Sequence, residues 1–260
     1  MNLRPARFLL LSLGSAIVAC SPSHDSGDSE SQATPSVLGS GLRIRDVVDP
    51  AVKKAGAQVY ISGAQTLAVD TFDETKAGGS SIGTVYVQDP GSTAPFSGTS
   101  IYQAAFVPSN LRIAPGDLLD LRGPFTESSA IGTTKFTPPT VLAQMFRPTV
   151  TFRYEAALGA PLGINVNDLN DYATGRQWLN MLVTVNDVTI AEPPTLASGR
   201  VNGKLIPGDR NVPSISNELF DLKETSIPAG TKIKSLTGIV TWFFSYHIAP
   251  RSPDDIVFAE

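Results

Sequence analysis

The chain of 260 residues holds one cysteine, two histidines and two tryptophans, and charged side chains make up 17% of it. A single cysteine excludes a disulfide within the chain. Two histidines, His24 in a polar tail and His247 far from it, leave little for a histidine-based metal site or a catalytic relay. The Gly-x-Ser-x-Gly elbow of serine hydrolases is missing. Gly78-Gly79-Ser80-Ser81-Ile82-Gly83 is rich in glycine but lacks the lysine of a phosphate loop, so it reads as a hairpin connection. Clustered carboxylates of the kind metal-assisted phosphoester chemistry needs are absent too. No catalytic residue, cofactor or resident metal is therefore expected, and the chain reads as something other than an enzyme. A hydrophobic run long enough to span a bilayer, about 20 residues, is also wanting.

What is present begins at the N-terminus. Arg4 and Arg7 precede the apolar stretch Phe8 to Ala19, which ends at Cys20 and runs into Ser21-Pro22. A basic start, a short apolar segment and small residues at the cut form an export signal. Ile17-Val18-Ala19-Cys20 resembles the lipobox of bacterial lipoproteins, which implies cleavage after residue 19 and lipidation, palmitate included, at Cys20. Several acyl chains, at about 0.8 kcal/mol per buried methylene, make a durable membrane anchor. Ser21 after the cysteine resembles outer-membrane sorting, so the expected location is the bacterial cell envelope at the outer membrane. Loss of residues 1–19 removes two arginines and no acid, leaving 18 basic against 24 acidic side chains, a net charge near -6. That balance lacks the overall basic footprint of a nucleic-acid binder.

Residues 20–40, rich in Ser, Asp, Gly and Pro, cannot bury a core and read as a flexible tether in which His24 is solvated. Beyond them the grammar is that of strands. Val59 to Ile61, Thr84 to Gln88, Ser100 to Gln103, Asp117 to Leu121 and Leu182 to Val185 are short branched or aromatic runs between turn signals such as Asp89-Pro90-Gly91 and Pro207-Gly208-Asp209. Twenty prolines and twenty-two glycines exclude long helices. One short helical turn is predicted from Val166 to Tyr172, capped by Asn165 or Asn167. The stretch Asn165 to Asp171 resembles a calcium loop but lacks its mid-loop glycine and final glutamate, so capping is its expected role.

The chain also resembles itself. Val59 to Ala68 aligns with Leu182 to Ala191, Gly83 to Asp89 with Gly203 to Asp209, Gly98 to Tyr102 with Ser216 to Phe220, and Ile113 to Gly123 with Ile227 to Gly238, always in the same order. Two tandem copies of one β-domain are expected, over residues 41–150 and 151–260. Asp168 to Tyr172 followed by Trp178 to Val185, and Leu236 to Arg251 with Ser252 to Ile256, resemble the opening and closing of the OB-fold-like domains found beside extracellular nucleases and in exported bacterial lipoproteins. The resemblance implies an all-β chain of two small OB-like barrels. In the first copy the closing strand is expected within Pro124 to Thr140.

In such barrels alternate side chains point inward, so Val85 and Val87 share one face and Tyr86 and Gln88 the other. Binding across strands 2 and 3 makes Tyr86, Phe96, Tyr102 and Phe220 the candidate contact residues, with packing between the barrels as the competing use of the same rings. Trp242 to Phe244 are expected in packing, His247 in a structural position, and Arg112, Arg122 and Lys135 as possible phosphate contacts. The function expected is a membrane-anchored, non-catalytic binding or structural module, whose ligand is a polysaccharide, a protein or single-stranded nucleic acid. The alternative is a nucleic-acid-binding accessory of an extracellular nuclease system.

Overall fold

A computed structural model describes residues 41–52, 58–74, 83–129, 141–197, 199–209, 211–224 and 226–260. Cys20, His24, the signal, the tether, Lys135 and most of the glycine-rich connection lie outside the described residues. Among the described residues strands make up 46% and helices 10%. Among the described residues no helix is long and apolar enough to cross a membrane.

The first sheet comprises β1 (Gln58–Val69), β2 (Val85–Gln88), β3 (Gly98–Tyr102), β4 (Ala105–Val107), β5 (Asp117–Ser129), β6 (Val141–Phe146) and β7 (Thr149–Glu155). Five of these strands close on themselves in the order β1-β2-β3-β6-β5, and β1 meets β5 again at the seam. β1 can serve two neighbours because it bends. Its ladder shifts register between Ile61 and Ala64, where Gly63 takes a left-handed φ of 72°, and again between Thr66 and Ala68. β3 and β6 run parallel, whereas the other ladders within the barrel are antiparallel. β7 and β4 extend the sheet beyond β5. The closing strand is thus β6, C-terminal to the expected Pro124 to Thr140. Pro124 itself sits in β5 opposite Gln58, where the long strand simply continues.

The second sheet holds β8 (Leu162–Gly163), β9 (Leu182–Thr189), β10 (Glu192–Ala197), β11 (Arg200–Lys204), β12 (Ser214–Ser216), β13 (Lys232–Trp242), β14 (Tyr246–Ala249) and β15 (Ile256–Phe258). Its order, β10-β11-β12-β14-β13-β9, repeats that of the barrel once β9 and β10 are taken as one strand bent at Ile190-Ala191. β12 and β14 supply the matching parallel pair. The two sheets are filled by corresponding residues. Ile61 opposes Leu121 as Val185 opposes Leu236; Ile101 opposes Met145 as Ile215 opposes Ile248; Phe125 opposes Met145 as Val240 opposes Ile248. All ten side chains are buried, each contributing about 1.5–3 kcal/mol of apolar transfer energy.

Two aligned pairs, Val59 to Ala68 with Leu182 to Ala191 and Ile113 to Gly123 with Ile227 to Gly238, fall on corresponding strands at a corrected register, whereas Gly203 to Asp209 and Ser216 to Phe220 lie mostly past the ends of β11 and β12. The sequence alignment sets Ile61 against Thr184, while the ladders set it against Val185. Gly83 lies in the turn before β2 at φ 86°, whereas Gly203 lies inside β11 opposite Ile215. β7 straddles residue 150, so the first sheet continues to Glu155 and the second begins at Leu162.

Helical structure is confined to short turns. A 3-10 turn at Val166–Asn170 is capped by Asn165, whose side chain accepts from Asn167 N at 2.9 Å while Asp168 accepts from Asn165 N at 3.3 Å. Asp171 caps a single α-helical turn, Tyr172–Gly175, and a second 3-10 turn spans Arg176–Trp178. Near the start of the described chain, Arg45–Val48 form one helical turn held by the residue that follows β2. Asp89, in the predicted Asp-Pro-Gly turn, accepts from Ile44 N at 2.8 Å and Arg45 N at 3.1 Å. Burial pushes the Asp89 carboxyl up, against the pull of those two N–H donors.

Candidate binding groove and the polar seam between the sheets

Val85 and Val87 fill the first barrel, so Tyr86 and Gln88 must point out of its wall, and there they meet the second sheet. Tyr86 packs with Leu67 and Ala68 of its own sheet and with Leu182 and Ile239 of the other. Gln88 accepts a hydrogen bond from Leu182 N at 3.0 Å, and Gln177 O accepts one from Phe96 N at 2.8 Å. At Gly98 a Cβ would lie 2.6 Å from the Asn180 carbonyl carbon, so the backbones approach there as closely as glycine allows.

The seam is polar at one end. The Tyr86 hydroxyl donates to Glu218 Oε1 at 2.7 Å. Burial, reinforced by the Glu218 carboxylate, pushes the Tyr86 phenol well above its ordinary value, so it remains a donor. Arg200, on β11, reaches Glu74 in the connection after β1 at 2.7 Å and Glu218 at a longer 3.4 Å, an ion pair without a close hydrogen bond. Its guanidinium lies 4.4 Å from the centre of the Phe243 ring.

His247 is buried at the same seam, with Nε2 3.2 Å from Ser245 Oγ and Nδ1 enclosed without a partner among the described residues. Burial, and secondarily the positive Arg200, lower its pKa from 6.5 to about 3. Below about 6.5 the unfolded chain binds a proton that the folded chain refuses until about 3. The stability from a neutral His247 is therefore complete above that window and lost as pH falls through it. In urea titrations from pH 7 to 4, His247→Gln should flatten the decline in stability; an unchanged slope would contradict a buried neutral imidazole.

The second sheet also borders an open groove of about 700 Å³. Its walls come from three separated parts of the chain: Gly163 to Asp168 with Trp178, the end of β9 from Asn186 to Thr189, and Leu205 to Pro207. Trp178 is half-buried, its body packed on the core. Asn165, Asn167, Asn186 and Asp187 are exposed. Asp187 adopts a left-handed φ of 53°, which aspartate tolerates better than branched residues. Among the described residues its lining holds two carboxylates, Asp168 and Asp187, and neither lysine nor arginine. It can accept and donate hydrogen bonds and offer an aromatic face.

The residues singled out in the sequence lie elsewhere. Tyr86 is 4% exposed and consumed by packing between the sheets, so it presents no contact surface. Phe96, at φ 63°, is half-buried against the first core, and Phe220 against the second. Tyr102 is half-exposed and stacks on Phe146 with ring centres 6.0 Å apart. Arg112 and Arg122 are both exposed; neither lines the groove. The four aromatic candidates are not brought together. Trp178, Asn186 and Asp187 escaped sequence reasoning because no motif links them; the Asn-Asp pair at a strand end was the one local signal. Among the described residues no group of three or more His, Cys, Asp or Glu is placed to hold a metal ion. No family model, no curated protein and no solved structure matches this chain.

Proposed function

We propose that the protein is a lipid-anchored, non-catalytic binding module of the bacterial cell envelope, carried on two OB-fold-like barrels in tandem. The groove of the second sheet carries the reading: it presents amides, carboxylates and one indole in an open, pre-formed recess, the composition of a recognition surface. The repeated strand order with its parallel third and fifth strands supports the OB-like assignment, and Ile17-Val18-Ala19-Cys20 supports the anchor. Metabolic labelling of the full chain with palmitate tests the attachment. Label should enter the wild-type protein and be lost in Cys20→Ser; a secreted chain with an unmodified thiol at Cys20 would refute the anchor.

A second reading, handling of single-stranded nucleic acid beside an extracellular nuclease, draws on one patch. Tyr102 stacks on Phe146, and the Arg147 guanidinium lies 5.0 Å from the Phe146 ring centre, a pairing suited to bases and phosphates. The acidic balance of the mature chain opposes it. Binding to oligo-dT that falls steeply with salt and is lost in Tyr102→Ala would favour this reading.

A further inference from the structure

We propose that the groove of the second sheet is a binding site for a neutral oligosaccharide, an inference that rests on the binding-module reading above and names its ligand class. Three features of the lining converge on that chemistry. Asn165, Asn167 and Asn186 bring amides that both donate and accept, which matches hydroxyl groups that also do both. The carboxylates of Asp168 and Asp187 accept hydrogen bonds from hydroxyls and, with no lysine or arginine among the described lining residues, repel phosphates, sulfates and carboxylates. Trp178 adds an apolar aromatic face against which the C–H side of a sugar ring can lie.

The recess is also prepared in advance. Its volume, about 700 Å³, falls within the roughly 300–1,000 Å³ usual for ligand sites. Asn165 and Asp168 are locked by their capping hydrogen bonds, and Trp178 is held by the core, so little ordering remains for the ligand to impose. Asn167, Asn186 and Asp187 make no side-chain hydrogen bond to the described residues and stand available. Nucleic acid and acidic glycans are the ligands this lining disfavours.

The test is calorimetric titration of the full chain in detergent with chitotetraose, cellotetraose, maltotetraose and mannotetraose, alongside a heparin tetrasaccharide and oligo-dT. At least one neutral tetrasaccharide should bind with an affinity nearly independent of salt. Asn186→Ala should weaken it by about tenfold, the loss of a hydrogen bond, with the melting temperature unchanged. Trp178→Phe, which keeps an aromatic body on the core, should weaken it less than Trp178→Ala. Failure of every neutral tetrasaccharide at millimolar concentration, or binding indifferent to Asn186→Ala and to both Trp178 variants, would overturn the sugar site. Salt-sensitive binding of oligo-dT alone would also overturn it while leaving the binding-module reading intact.

Discussion

Arg200→Met should lower the stability of the fold by about 3–5 kcal/mol, because it removes the guanidinium that pairs with two carboxylates shut off from water. The side chain of Glu74 is 0% exposed and that of Glu218 is 7% exposed, and Arg200 is the cation bridging them. Tyr86 satisfies one oxygen of Glu218 but brings no charge. Arg200→Lys should recover only part of the loss, since a point charge cannot reproduce two ion pairs together with the stacked plane over Phe243. The decisive comparison adds Glu74→Gln and Glu218→Gln to Arg200→Met. Removing all three charges should restore much of the stability, as replacement of whole buried ion networks often does. Urea midpoints of the three proteins supply the measurement. A triple variant no more stable than Arg200→Met alone would show that packing, rather than stranded charge, sets the loss.

The seam also marks where sequence reasoning stops. Alternation along Thr84 to Gln88 is legible, since Val85 and Val87 enter the barrel and Tyr86 and Gln88 leave it, as period two requires. What covers the outward face is not legible, because alternation reports that a side is distinct and not what lies against it. Tyr86 reads equally as a ligand contact or as packing between the barrels for that reason, and it is the packing that holds: Leu182 and Ile239 bury Tyr86, and Leu182 N engages Gln88. The repeat is similar: the order of strands survives in weak matches, but register depends on bulges such as that between Ile61 and Ala64, which a ten-residue match cannot detect. The groove was hidden by its composition from distant segments. Of the two residues read as caps, Asn165 and Asn167, it is Asn165 that caps the turn, but Trp178, Asn186 and Leu205 converge only once β9 and β11 are in place.

Phe125→Ala offers the second large effect and asks whether the two sheets unfold as one. Phe125 is 1% exposed and fills the first barrel between β5 and β6. Its truncation should cost about 3–5 kcal/mol through lost burial and a residual cavity. Both tryptophans, Trp178 and Trp242, lie in the half of the chain that builds the second sheet, so intrinsic tryptophan fluorescence reports that sheet alone. The contacts across the seam argue for coupling. Leu182 and Ile239 complete a shared apolar cluster, Tyr86 and Arg200 link carboxylates on the opposite side, and Gly98 abuts the Asn180 backbone. Losing the first barrel would strand Glu218 without Tyr86 and Arg200 without Glu74, so the second sheet would inherit an unsatisfied polar face. A substitution in the first barrel should therefore move the tryptophan-reported transition in urea to lower denaturant, in step with the far-ultraviolet circular dichroism. A tryptophan transition that stays at its wild-type midpoint while the dichroism splits into two steps would show that the seam joins the sheets without coupling their stability.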